Sequence, residues 1–284
     1  MLKPGSVSLK CASWNIAGNF NYFRSIIMQN FINRFDIICL TETHVVQKGS
    51  IKFKNFKPYE FPDTNCNFEY PRGGICLLVK TEVLKVIKNV KLLMTDFIEI
   101  TFTNGLKLSN LYIPPIDSVY YDEQYIQLMC SLFWEADERK EPMIAMGDMN
   151  TRLGDLQKLC PEYNYGVNPD TTVNENGKHL CEILLNSTTA TPINHMITEL
   201  GRYDGDFTFN RNEKKSAIDW CFGNKHSLSC IGGFKIIRDS PKISDHIPIV
   251  VELQVSGDKS LDSLVNAAKE LNEKLLNHSR INEQ

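Results

Sequence analysis

"SDHIPIVVELQV", residues 244–255, decides how the chain is read. Its apolar part is rich in β-branched residues and reads as a buried closing strand. Ser244, Asp245 and His246 stand at the start of that strand. Burying charge is costly unless the charge is paired or holds a metal. The triplet is therefore either a local cap or one part of a site whose other members lie elsewhere in the chain.

Upstream, strand-like and helix-like segments alternate. "VSLKCASWN" (7–15) and "DIICLTET" (36–43) read as strands. Between them "NYFRSIIMQNFINRF" (21–35) reads as one helix, with Phe23, Ile26, Ile27, Phe31, Ile32 and Phe35 at helical spacing. Residues 46–72 are polar, aromatic and Pro-containing, and read mostly as an excursion. "GGICLLVK", "VIKNVKLL", "DFIEITFT" and "LKLSNLYIPP" follow as strands, with Asn104-Gly105 marking a tight hairpin between the last two. A helix is expected over 121–138, with Tyr125, Leu128, Met129, Leu132 and Phe133 on one side. "PMIAMGDMN" is a short strand ending in polar residues, and "GKHLCEILLNS" reads as a helix. "DFTFN" and "SAIDWCFG" read as strands around the charged turn "RNEKK". The pattern implies a layered α/β domain over residues 1–255. Residues 256–284 change character: Leu261, Leu264, Val265, Ala268, Leu271 and Leu275 follow helical spacing, as in an amphipathic helical tail or linker.

The 284 residues carry 42% hydrophobic side chains, enough for a substantial core. Lys plus Arg number 31 and Asp plus Glu 34, a formal charge of -3. That argues against holding nucleic acid by bulk positive charge, but leaves room for an enzyme with a local basic rim. The nine cysteines are odd in number and include no CxxC, so a reducing, intracellular setting is expected. Cys221, His226 and Cys230 fit no standard zinc spacing and read as structural. The N-terminus has no apolar signal core and no stretch approaches membrane-span length, so no membrane partner is expected.

Five polar clusters sit at the ends of apolar runs: Trp14-Asn15, Glu42, Gly147-Asp148-Met149-Asn150, Asp219, and Ser244-Asp245-His246. Singly, each has an ordinary reading as a turn, strand end, ion pair or cap. Together they suit metal-assisted attack of water on a phosphate ester. Glu42 and Asp245 are hard oxygen donors of the type Mg²⁺ prefers, and one or two carboxylates suffice for it. Mn²⁺ suits oxygen ligands as well. His246 can move a proton or stabilise charge near neutral pH. Asp219 can hold that imidazole in one orientation. Asp148 and Asn150, two apart on an extended segment, point the same way.

The order WN, E, GDxN, SxID, SDH resembles the endonuclease/exonuclease/phosphatase (DNase I-like) superfamily, from Ala12 to about Val255. The resemblance implies a four-layered α/β/β/α sandwich of two mainly antiparallel sheets, with the site at one end. It implies Glu42 as principal metal ligand, Asn15 near the metal and Asp245 as a second metal-side carboxylate. It implies that Tyr112, in "NLYIPP", contacts the phosphate; a packed strand tyrosine is the alternative. Asp148 resembles the residue that positions or deprotonates the water, Asn150 the amide that orients the phosphate or Asp148, and Asp219 the partner of His246. How the general-base role divides between Asp148 and His246 stays open.

Within the superfamily, "RGGICLLVK", "GDMNTRLGD", "NENGKHLCEILLNS" and "DGDFTFNRNEKKSAIDW" resemble segments of endonucleases encoded by non-LTR (LINE-type) retrotransposons. Met149 and "PINHMITELG" depart from their pattern. The resemblance implies that the hairpin bearing Arg211, Lys214 and Lys215 reaches the DNA groove; a solvated turn is the alternative. The resemblance implies a Mg²⁺-dependent endonuclease that nicks double-stranded DNA, is nuclear at the time of action, leaves a 3′-hydroxyl for target-primed reverse transcription, and works with a reverse transcriptase domain or partner beyond the tail. The alternatives are an abasic-site endonuclease or other phosphodiesterase, and an inactive nucleic-acid-binding module.

Overall fold

The computed structural model describes residues 6–49, 52–63, 72–156, 162–199 and 201–256. The amphipathic pattern expected over 256–284 lies outside them from residue 257 onward, as do Cys66 and Cys160. The first crossover unit is β1 (Ser6–Asn15), α1 (Ile26–Ile32) and β2 (Ile37–Thr41), with β1 and β2 parallel. The antiparallel strands β3 (Phe56–Phe61) and β4 (Ile75–Lys80) extend that sheet. A meander of β5 (Ile87–Met94), β6 (Phe97–Phe102) and β7 (Lys107–Tyr112) begins the second sheet. The second crossover runs through α2 (Gln124–Arg139) to β8 (Met143–Asp148), parallel to β7. Such parallel pairs need a helix-length connection, and α1 and α2 supply it.

The rest of the chain returns antiparallel. β9 (Asn164–Tyr165), α3 (Glu175–Leu180), β10 (Thr191–Pro192), β11 (Met196–Thr198) and β12 (Gly201–Arg202) are short. β13 (Phe209–Arg211) and β14 (Lys214–Ser216) form a hairpin. β15 (Asp219–Gly223) joins the second sheet, while β16 (Ile231–Ile236) and β17 (Ile249–Ser256) complete the first. The strand orders are β16-β17-β1-β2-β4-β3 and β10-β15-β8-β7-β6-β5.

Strand alternation builds four layers. Leu9, Cys11, Cys39, Leu77, Ile100, Ile144, Met146, Cys221 and Val251 meet in the core between the sheets. The alternate residues face outward. Trp14, Ile38 and Leu78 pack with Phe31 and Ile32 of α1. Leu111, Ala145 and Phe222 pack with Met129 and Phe133 of α2 and Leu180 of α3. The α/β/β/α sandwich is thus present, with one parallel pair at the centre of each six-stranded sheet.

Three local expectations are corrected. The helix over 21–35 is two pieces, a 3-10 turn Phe20–Arg24 and α1. Ser25 takes an extended backbone between them, and its hydroxyl accepts the Met28 N–H at 3.3 Å, capping the second piece. Ile26 and Ile27 therefore point away from the core, each 68% exposed. The excursion hides an edge strand, β3, where Pro58 is tolerated. The closing strand starts at Ile249, leaving His246 on the loop before it.

The topology places the site. Parallel β1/β2 and β7/β8 end at Asn15, Thr41, Tyr112 and Asp148. Their antiparallel neighbours β4, β6, β15 and β17 start at the same pole, so Gly73-Gly74, Asp96, Asp219 and His246 arrive there too. Gly147 lets β7 and β8 close up before Asp148: its φ is 148°, and a Cβ there would stand 1.9 Å from the Leu111 carbonyl oxygen. Gly147→Ala should lower unfolding free energy by about 3 kcal/mol or more. An unchanged denaturation midpoint would contradict this packing.

Candidate active site

Register lines up three groups on the second sheet. Tyr112 is paired with Asp148 on β8, and Asp148 with Asp219 on β15. The first sheet faces them with Asn15, Glu42 after β2, and His246 before β17. Asn15 Nδ2 donates to Asp148 Oδ2 at 2.9 Å, and its own Oδ1 accepts the Ala17 N–H. His246 Nδ1 lies 3.0 Å from Asp219 Oδ2, and its Nε2 lies 3.6 Å from Asp148 Oδ2. Ligand-type atoms of Asp148, Asp219 and His246 all lie within 4.8 Å of one another, and all three residues are buried.

The outer members of the motifs hold this trio in place. Trp14 Nε1 donates to the His246 carbonyl at 2.9 Å. The Ser244 hydroxyl donates to the Asn15 carbonyl at 2.7 Å and accepts the His246 N–H. Phe209 sets its ring edge-on to the imidazole, 4.9 Å between centroids. Thr208 Oγ1 accepts the N–H groups of Ile218 and Asp219, fixing the start of β15.

Asn150 has a left-handed backbone, φ 47°. Its N–H donates to Asp148 Oδ1 at 3.0 Å and its Nδ2 to the Ile113 carbonyl at 3.0 Å. Asn174 secures that loop from the start of α3: its Nδ2 donates to the Asn150 carbonyl, while its Oδ1 accepts from Arg152 and Gly177. A Cβ on Gly177 would meet the Arg152 carbonyl oxygen at 2.2 Å. This accounts for the Asn-x-x-Gly spacing. Asn174, Thr208 and Asp96 are contributors that the sequence reading did not single out. Asn174 and Thr208 lie in the segments "NENGKHLCEILLNS" and "DGDFTFNRNEKKSAIDW", and Asp96 is an acid at a strand start like Asp219.

The electrostatics follow from burial. Desolvation is the largest influence on Asp148 and raises its pKa, which the facing imidazole opposes and Asp219 reinforces. For His246 burial acts downward, but the charges of Asp219 and Asp148, the Asp219 hydrogen bond and Glu42 outweigh it, so the imidazolium is favoured. Burial first, then the charge of Glu42 and a hydrogen bond to it, pushes the Tyr112 phenol up, so it remains a donor. Glu42 thus acts electrostatically on both Tyr112 and His246, on the same pole of the molecule.

Two expected ligands differ in setting. Glu42 is half-buried in a left-handed conformation, φ 47°, with no ion pair to Lys or Arg among the described residues. Asp245 sits outside the trio: its side chain is 44% exposed and faces Arg211 at 3.5 Å. Arg211 and the exposed Lys214 and Lys215 lie on the β13–β14 hairpin, whose turn residues Asn212 and Glu213 have φ 49° and 66°. The hairpin base is joined to the His246 loop by the Asn210 N–H to the Asp245 carbonyl and the Ile247 N–H to the Thr208 carbonyl.

A divalent cation fits this arrangement unevenly. The trio spends its donors and acceptors internally, around one imidazole. Glu42 keeps hard carboxylate oxygen available beside it, as Mg²⁺ requires. Among the described residues no helix is long and apolar enough to cross a membrane.

No curated protein sequence matches the chain. Solved structures share its fold at low identity. A 3′-5′ exonuclease, NExo, from Neisseria meningitidis is 15% identical with a TM-score of 0.61, covering 86% of this chain and 99% of that one. A Neisseria NExo 3′ phosphatase bound to a product DNA hairpin is 14% identical with a TM-score of 0.60, with the same coverage, 86% and 99%. The AP endonuclease LMAP from Leishmania major is 13% identical with a TM-score of 0.65, covering 89% of each chain. A family model matches residues 12–246, the span from the first strand to His246 that contains every group of the trio. With that match over most of its length, the chain belongs to the Endonuclease/Exonuclease/phosphatase family.

Proposed function

We propose that the chain is a Mg²⁺-dependent DNA endonuclease that nicks by phosphodiester hydrolysis and leaves a 3′-hydroxyl. The single observation that carries this reading is the Asp148–His246–Asp219 constellation, buried and held from both sheets beside Glu42. Mg²⁺ held by Glu42, with Asn15 and the rim carboxylate Asp245 nearby, would supply positive charge to the phosphate oxygens. Asp148, fixed by Asn15 and the Asn150 N–H, orients a water and accepts its proton. His246, kept as imidazolium by Asp219, stabilises charge on the phosphate through Nε2. Tyr112, held as a phenol, donates to a phosphate oxygen. Asn150, its loop tied by Asn174, lies beside Asp148, where its amide can orient the phosphate.

The retrotransposon setting, with a nick that primes a reverse transcriptase, rests on the segments "RGGICLLVK", "GDMNTRLGD" and the β13–β14 hairpin. In that setting the protein acts in the nucleus. Abasic-site cleavage is a second reading, favoured by the fold shared with an AP endonuclease. An inactive binding module is disfavoured, because each residue of the trio is present, buried and hydrogen-bonded to a neighbouring motif residue.

Supercoiled plasmid should be nicked with Mg²⁺ and left intact with EDTA. Asp148→Ala and His246→Ala should each cost roughly a thousandfold in rate. Parental rates in both variants would sink the assignment, and strong preference for an abasic duplex over intact plasmid would favour the second reading. Neutralising Arg211, Lys214 and Lys215 together should lower the slope of log affinity against log salt by up to about three. An unaltered slope and cleavage pattern would show that the hairpin does not touch DNA.

A further inference from the structure

The meander turn between β5 and β6 carries a buried carboxylate that the mechanism above does not use. Asp96, 7% exposed, stands where β6 of the second sheet begins. Its Oδ1 accepts the N–H of Gly74 at 2.7 Å, and Gly74 lies at the start of β4 in the first sheet. Its main-chain carbonyl accepts the N–H of Tyr112 at 2.9 Å. One residue is therefore bonded to both sheets at the pole of the site.

From Gly74 the connection continues to Glu42. The Gly74 carbonyl accepts the Thr43 N–H at 3.1 Å, and the Gly73 carbonyl accepts the His44 N–H at 3.0 Å. These bonds hold the segment in which Glu42 and His44 take left-handed backbones, φ 47° and 54°. Both glycines are required by the contact. They have φ 51° and 82°, and an added Cβ would meet Asp96 Oδ2 at 2.7 Å on Gly73 and Thr43 Oγ1 at 2.9 Å on Gly74. The Arg-Gly-Gly sequence is thereby explained as a turn shaped to receive a carboxylate from the opposite sheet. Burial works against that carboxylate, pushing its pKa up to about 7, with the Gly74 N–H acting the other way.

We infer that Asp96 is a positioning residue: it ties the Gly73-Gly74 turn to Tyr112 and so fixes Glu42 against the second sheet. The inference rests on the reading of Glu42 as the metal carboxylate only for its consequence in catalysis, not for the strut itself. Asp96→Ala should raise the Mg²⁺ concentration for half-maximal plasmid nicking about tenfold, with a smaller loss of rate at saturating Mg²⁺. Asp96→Asn, which keeps an acceptor for Gly74, should restore most of the difference. Amide exchange at Thr43, His44 and Gly74 should quicken at least about tenfold in Asp96→Ala and stay near parental in Asp96→Asn. Exchange reads the strut whether or not Glu42 binds metal, so unchanged protection overturns the inference by itself. If exchange quickens while Mg²⁺ half-saturation stays parental, the catalytic consequence is overturned and the reading of Glu42 with it. Should Asp96→Ala fail to fold, Gly73→Ala, whose methyl meets the carboxylate, must show the same exchange and Mg²⁺ shifts, and parental values there overturn the inference.

Discussion

Two six-stranded sheets packed face to face are stapled at one pole by a few hydrogen bonds between buried polar groups. Asn15 reaches Asp148, His246 reaches Asp219, and Gly74 reaches Asp96. In each bond one partner belongs to the first sheet or its loops and the other to the second. The apolar interior between the sheets has no directional preference, so it cannot alone fix how they meet. These staples can, because each leaves a buried polar group unsatisfied if the sheets shift. The same bonds give the proposed chemistry its geometry.

Charge sets the second condition. Asp148 and Asp219 share a buried space, and two carboxylates there repel unless a cation lies close. His246 lies between them, touching Asp219 through Nδ1 and facing Asp148 through Nε2. Glu42 acts on this imidazole only through its charge, with no hydrogen bond to it. In the mechanism we propose, that difference divides the labour: the imidazole governs the protons, and Glu42, which meets the Tyr112 phenol rather than a cation, takes the metal. Asp245 is paired with Arg211 on the exposed rim, outside the buried trio.

Much of this was legible in the sequence, for identifiable reasons. Continuous short apolar runs gave the strands buried on both faces, against the inter-sheet core and a helix layer, as in "DIICLTET" and "GGICLLVK". Polar clusters at the ends of those runs marked Asn15, Glu42, Asp148, Asp219 and His246. The helix over 21–35 was misjudged because its apolar spacing continues across Ser25, while the hydroxyl cap that restarts the helix needs only one residue. β3 was missed because Pro58 and mixed polarity suit an edge strand as well as a loop. The roles of Asp96, Asn174 and Thr208 are not legible, even where the segment itself is, because their partners are main-chain groups brought close only by the fold or by a local turn. A lone Asp, Asn or Thr near a turn has no periodicity to betray such a bond.

Glu42, His44 and Asn150 all hold left-handed backbones without being glycine. Such residues store conformational energy, less for asparagine than for the other two. Part of the backbone at this pole is thus held in a costly conformation by the packed ladders around it, as are turns elsewhere in the fold. Glycine at Glu42 would relax that cost while removing the carboxylate that the proposed mechanism uses. If the proposed mechanism holds, robustness and turnover therefore pull in opposite directions at that one backbone position.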